Sequence, residues 1–360
     1  MTTVGGIQAP TSPTTRRPVS SGRRVVDLLR SSEERIWRGS ARIAVLLPFA
    51  ALIFVLAVLA IKAWPAVKVN GPGFLSRSTW ATGSAYATIV TTHGVRHPSG
   101  INYGAWPLIA GTLMSSALAV LFALPVSIGA AFALTEWVPQ WLSRALGFFV
   151  EILAGIPSVV FGIWGFLVLG PFLANHIYPH IASVMPNVPI LNIFRSPTGH
   201  GEGLLTTGLI LALMIVPIIC STTRDLFLQV PALPKEGGEA LGMTDWEVAR
   251  KVTLPWVRSG IIGATVLGLG RALGETIMVA MVGGSLLGAL PGNIYDPFGT
   301  IAATIVNQLD AAGIDLTGFT TDTLAELALI LAVISVAVNL VARLIINRSS
   351  KLGAPVGRPA

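Results

Sequence analysis

Pro234-Lys-Glu-Gly-Gly-Glu-Ala-Leu-Gly-Met-Thr-Asp-Trp-Glu-Val-Ala-Arg-Lys-Val-Thr-Leu-Pro255 is a polar stretch set between two long apolar runs. Glu236–Leu241 predicts a short helix, and Gly242 supplies a break or a left-handed turn after it. Thr244 is a good N-cap for a second helix, with Glu247 three residues on to complete a capping box. Pro255 is expected to close that second helix before the next apolar run begins. The pattern is a helix–turn–helix, too polar to enter a bilayer and too well capped for a random linker. Its flanks are what make it informative.

Those flanks belong to a chain of 360 residues that is 52% hydrophobic and only 11% charged, with a mean hydropathy of +0.72. An average soluble domain carries roughly 25% charged residues, so a soluble enzyme and a disordered chain are both excluded. About 20 mostly apolar residues cross a hydrocarbon core of roughly 30 Å. Candidate spans fall at about 43–63, 109–134, 146–169, 204–221, 261–287 and 324–346. The expected fold is all-α, a polytopic membrane protein with six transmembrane helices. The third span carries Glu151, the fifth Arg271 and Glu275, and the sixth has Glu326 near its start.

The basic residues set orientation. Arg16, Arg17, Arg23, Arg24, Arg30, Arg35, Arg38 and Arg42 crowd the N-terminal tail, and the 224–258 loop holds Arg224, Lys235, Arg250, Lys251 and Arg258. The 290–322 loop has no basic residue but carries Asp296, Asp310, Asp315 and Asp322. Both termini are therefore expected in the cytoplasm, with Lys68, Arg77 and Arg96 of the first external loop a minor violation. The net charge of +7 marks topology and not a nucleic-acid surface. The reading divides the chain into a basic, largely disordered tail (1–42), a first span with its external loop (43–104), a five-helix core (105–346) and a short cytoplasmic tail (347–360). Val25–Trp37 has the alternative of an amphipathic helix at the inner face. The external segments 64–105 and 171–203 read as ordered loops or short interfacial helices.

Few residues suggest other chemistry. His93 and His97, and His176 and His180, stand four apart but lack a clear third ligand. Cys220 has no partner for an intrachain disulfide. None of the lysines follows a glycine, so no GxxxxGK[ST] phosphate-binding loop exists. Energy must come from another chain or from an ion gradient, and no cofactor or metal is expected.

The 234–255 loop resembles the EAA signature of importer permeases of the ATP-binding cassette class, with Glu236, Gly242, Val252, Leu254 and Pro255 at the signature places. Gly237-Gly238 stands where alanines are usual. The resemblance implies a type I importer permease fold and a coupling helix that docks on a separate ATPase. Glu236, Gly242, Trp246, Leu254 and Pro255 become the coupling residues.

Arg271 lies about 15 Å beyond Ile261 at 1.5 Å per residue, near the bilayer midplane. An ionised arginine there costs about 2.5–3.5 kcal/mol on insertion scales. Glu275, four residues on, is expected on the same helix face and within pairing reach. Three roles fit these two residues: a salt bridge between spans, a proton relay through Glu275, or an anion site using the guanidinium's fixed donors.

The run Gly270-Arg-Ala-Leu-Gly-Glu-Thr-Ile-Met-Val-Ala-Met281 resembles a span motif of phosphate-specific permeases of this class. Glu151-Ile-Leu-Ala-Gly-Ile-Pro-Ser-Val-Val-Phe-Gly162 resembles a second, and Gly111-Thr-Leu with Ser115-Ser116 agrees with the general pattern. The first external loop and the Arg271–Thr276 run look more like the PstC-type subunit than its PstA-type partner. That resemblance implies a heterodimer with a second related permease subunit, two ATPase subunits and an extracytoplasmic phosphate-binding protein, in a bacterial cell membrane, with inorganic phosphate as the substrate. Arg271 and Glu275 become path residues, with Ser158 and Glu151 as weaker substrate-site candidates. Gly155, Pro157 and Gly162 are read as bending and thinning the third helix. A sulfate- or molybdate-type permease is the near alternative. An ion-coupled secondary transporter would need repeated halves, and none is visible.

Overall fold

The computed structural model describes residues 21–83, 88–186, 188–195, 197 and 200–352. Six helical segments are long and apolar enough to cross a membrane: Ile43–Asn70, Trp106–Trp137, Ser158–Val184, Leu204–Leu228, Asp245–Leu273 and Phe319–Ile346. They are called the first to sixth spans below. The first span continues a helix that starts at Ser21, so residues 21–42 of the basic tail are helical, while residues 1–20 lie outside the described residues. Residues 1–58 form a unit of their own, and residues 59–360 form the other.

Within the larger unit the fourth span is the pillar. It packs against the second and fifth spans and buries Ile210, Leu211, Met214, Ile215 and Ile219. Ala119 and Ala123 of the second span and Ala264 of the fifth face this cluster. Small residues at such contacts let helix backbones approach closely where no hydrophobic driving force operates. A second cluster, around Phe74, Tyr103, Leu108, Ile301, Phe319 and Leu327, holds the other end of the bundle.

Three segments depart from the sequence reading. The third span begins at Ser158 and not near Leu146, because the chain breaks at Gly155–Pro157. Gln140–Ala154 is a separate amphipathic helix, and Ser158–Trp164 starts anew after Pro157. Proline removes a helical donor and its ring disfavours helix at the residue before it. The same span runs on to Val184 through two widened π-type turns, at Gly165–Leu169 and Leu173–Ile177, and His176 and His180 stand on its last turns.

The fifth span is also divided. Its helix ends at Leu273, Gly274 caps it, and a short helix Ile277–Val282 follows. The chain then folds back in place of an open acidic loop. Thr300 caps a helix Ile301–Ile314 through its hydroxyl, which accepts from the Ala303 N–H at 3.3 Å. Ile301 is fully buried and its N–H donates to Thr112 Oγ1 of the second span at 3.0 Å.

The segment after the first span forms two small antiparallel pairs and, among the described residues, no interfacial helix beyond a single 3₁₀ turn at Pro72–Leu75. Trp80–Ala81 pairs with Asn102–Tyr103, and Ile89–Thr92 with Val95–Pro98. His97 is tied into this hairpin: its Nδ1 donates to the Pro98 carbonyl, and its Nε2 accepts from Thr92 Oγ1, each at 2.9 Å. Asp315 caps the sixth span by accepting from the N–H and hydroxyl of both Thr317 and Thr320. Partial burial works to raise its carboxyl, but those four hydrogen bonds outweigh it and hold the group below the usual carboxylate range.

Candidate functional site

The polar loop folds as its residues dictate. Its first helix runs Ala232–Ala240, longer at its start than the sequence suggests because Pro231 serves as N-cap residue. Gly242 has φ +77°, the left-handed conformation that favours glycine. Thr244 and Glu247 form the full capping box: Thr244 Oγ1 accepts from the Glu247 N–H at 3.3 Å, and Glu247 Oε2 accepts from the Thr244 N–H at 3.1 Å. Gly238 faces Val248, Met243 and Val252, so the two helices close on one another through a residue without a side chain.

Pro255 does not end the second helix. The helical run is continuous from Asp245 to Leu273, widened to a π-type turn at Ala249–Thr253. The wider turn makes room for a proline ring that would clash with the carbonyl four residues back. The loop is anchored at its base. Lys235 Nζ lies 2.6 Å from Glu136 Oε1 at the end of the second span, and the Trp246 ring meets Phe132 edge to face at 6.0 Å. Leu233 and Leu241 are 80% and 81% exposed, and Trp246 is 58% exposed. The loop thus presents apolar side chains outward, away from its own core. Glu236 and Pro255 are exposed, and Leu254 is half-buried.

The second constellation lies at the break in the fifth span. Arg271 stands in the last turn of the helix, and Glu275 sits past the Gly274 cap, off the helix. The expected shared face is therefore absent, because the helix ends between the two residues. Among the described residues neither side chain forms an ion pair or hydrogen bond. Arg271 is exposed and Glu275 partly so. A guanidinium in an apolar span with no partner among the described residues must meet water, a ligand or another subunit, since hydrocarbon would leave it unsolvated.

Ser158 opens the third span, one turn before Gly162. A Cβ on Gly162 would sit 2.8 Å from Met281 Sδ and 3.3 Å from the Met278 Cα. This bare position lets the third span close on the helix Ile277–Val282 that follows Glu275, and so brings Ser158 onto an element adjoining the break. Glu151 is placed elsewhere. It lies on the helix Gln140–Ala154, exposed, and accepts from Arg224 Nη2 at 3.1 Å. Gly147, one turn earlier, leaves the space that the Arg224 guanidinium fills. The sequence reading missed Arg224 as Glu151's partner, and spacing along the chain gave no signal for it. Among the described residues, no group of three His, Cys, Asp or Glu is placed to hold a metal ion.

Six apolar spans, with a capped helix–turn–helix leading into the fifth and apolar side chains outward on it, define the membrane component of an ATP-binding cassette importer. The comparison with known proteins agrees. Residues 123–351 match the family described as "Binding-protein-dependent transport system inner membrane component", and the chain belongs to that family. It is a transport subunit, and ATP hydrolysis in this class belongs to a separate chain. Among its relatives is the "Phosphate transport system permease protein PstC 1" of Mycobacterium tuberculosis, 54% identical over 89% of this chain and 95% of that protein. The "Phosphate transport system permease protein PstC" of Haemophilus influenzae is 38% identical over 88% of this chain and 93% of its own length. The fold is similar to a chain in a crystal structure of a bacterial alginate ABC transporter bound to its periplasmic protein, with TM-score 0.50 and 18% identity over 89% of this chain and 99% of that one.

Proposed function

We propose that this chain is one of two related permease subunits of an ATP-driven phosphate importer, lining the translocation path at the break in its fifth span. The observation that carries the reading is the pairing of two features in one helix. The Asp245–Leu273 run begins in the ATPase-coupling loop and carries in its last turn Arg271, which has no ion pair or hydrogen bond among the described residues. The relatives named above as phosphate permeases support phosphate as the anion. A guanidinium offers several fixed donors to a tetrahedral oxyanion. Glu275 beside it provides an acceptor for a protonated oxyanion, which favours hydrogen phosphate over sulfate. Ser158 supplies a hydroxyl from the facing element. Glu151 is held by Arg224 at the loop-bearing end of the bundle and supports that end rather than the path. The loop and both termini face the cytoplasm in this reading, with the ATPase docked on Leu241 and Trp246 and a phosphate-binding protein on the opposite face.

The test separates an anion site from architecture. Arg271→Gln with Glu275→Gln removes both charges at similar size. In proteoliposomes holding the whole transporter, the double variant is expected to assemble, bind its ATPase and take up almost no phosphate. Arg271→Lys keeps the charge but loses the fork, and is expected to retain partial uptake at best. Wild-type uptake by the double variant would reduce Arg271 to a structural residue.

A further inference from the structure

A cleft of about 330 Å³ opens at the loop-bearing end of the bundle, between the helix Gln140–Ala154 and the ends of the second and fourth spans. Arg144, Arg224 and Glu151 line it, with Gln140, Phe148 and Leu228. Its donors outnumber its acceptors. Arg224 gives Nη2 to Glu151 and lies 3.6 Å from Asp225, which does not line the cleft, and its Nε is buried with no acceptor. Arg144 spends only its Nε, on the Gln140 carbonyl at 3.3 Å, and meets no carboxylate among the described residues. Two guanidinium groups thus face one carboxylate, with N–H groups left over.

One side of this cleft is apolar and open. Phe148 and Leu228 of its lining are 61% and 68% exposed, and Trp141, on the same helix as Phe148 but outside the lining, is 70% exposed. The helix Gln140–Ala154 therefore has an apolar face outward at the end of the spans, where the bilayer meets water, and amphipathic helices with aromatic side chains lie in that interface. Spare guanidinium donors beside an exposed apolar wall match a phosphate group that carries hydrocarbon.

We infer that this cleft binds a phosphate group through Arg144 and Arg224, that of an anionic phospholipid headgroup whose chains lie along Phe148 and Leu228. Free inorganic phosphate shares the headgroup chemistry, and the experiment separates the two sources. The inference stands apart from the translocation reading, since neither arginine belongs to the Arg271 path.

The whole transporter, purified and stripped of lipid in mild detergent, is titrated with phosphatidylglycerol, with phosphatidylcholine and with inorganic phosphate, and bound species are counted by native mass spectrometry. Phosphatidylglycerol is expected to bind in preference to phosphatidylcholine. Arg144→Gln is expected to weaken that binding roughly tenfold, the usual effect of losing a charged hydrogen bond. Arg144 is exposed and has no ion pair among the described residues, so this variant should keep its subunits and its melting temperature. Displacement of the lipid by inorganic phosphate, again dependent on Arg144, would assign the cleft to the free anion. Equal binding of all three ligands in wild type and Arg144→Gln, or no preference for phosphatidylglycerol and no bound phosphate, would overturn the inference.

Discussion

Gly242→Val tests whether the loop's turn transmits force. Gly242 has φ +77°, and a Cβ there would meet nothing within 4 Å. The cost of a side chain is therefore all backbone. A left-handed L-residue costs about 1–2 kcal/mol, and a β-branched one is a worse fit still. Set against a folding stability of roughly 5–15 kcal/mol, that leaves the bundle folded but shifts a local equilibrium by a factor of about 5–30. The equilibrium at risk is the closed turn. It rests on the Gly242 N–H to the Glu239 carbonyl at 2.8 Å, the Met243 N–H to the Gly238 carbonyl at 3.2 Å, and the Gly238–Val248 contact. Phosphate uptake and ATP hydrolysis would be measured together in proteoliposomes of the whole transporter. Gly242→Val is expected to lose at least about fivefold in uptake while the complex assembles with an unchanged melting temperature. Gly242→Asn should recover most of it, because asparagine visits the left-handed region at low cost. Uptake at the wild-type rate in Gly242→Val, or equal damage from Gly242→Asn, would refute the reasoning.

Two further outcomes follow from packing and capping. Gly162→Leu drives a side chain into Met281 and the Met278 backbone and is expected to destabilise the complex by about 1–3 kcal/mol, read as a lower melting temperature in detergent, while Gly162→Ala should cost less. Asp315→Ala removes the cap of the sixth span and should cost about 1 kcal/mol. Because Asp315 titrates below its ordinary value in the folded chain, its contribution is full above the unfolded carboxylate value, about 3.9, and fades as pH falls through the folded one. The wild type should therefore lose melting temperature on acidification more steeply than Asp315→Ala, and parallel acid limbs would count against the cap.

The spans and the loop were legible in sequence because their signals are local. Apolar length announces a span, and Thr244 with Glu247 announces a capped helix. Orientation rests on the charge asymmetry of the loops. What escaped was contact between distant segments. Arg271 and Glu275 looked like helix neighbours because the run around them is apolar throughout, and only the tertiary fold shows the helix stopping at Gly274. Gly155-Ile-Pro157 did carry a sign of the third-span break, but glycines and a proline are tolerated inside membrane helices, so a bend and a full stop look alike. The helix Ile301–Ile314 was hidden for another reason. Its apolar stretch is shorter than a span, and its acidic surroundings suggested an open loop. Trp246 was assigned to coupling through family resemblance, and its ring contact with Phe132 depends on a residue more than a hundred positions away.

The unbroken run from Asp245 to Leu273 has a mechanical consequence. Its 29 residues make a rod of about 43 Å, with no hinge between the loop and Arg271 other than the wide turn at Ala249–Thr253. A tilt of about 5° around one end sweeps the other through roughly 4 Å, more than the length of a hydrogen bond. Whatever tips the loop therefore relocates the guanidinium, and a small angle at one end is enough to carry its donors out of reach of any fixed acceptor.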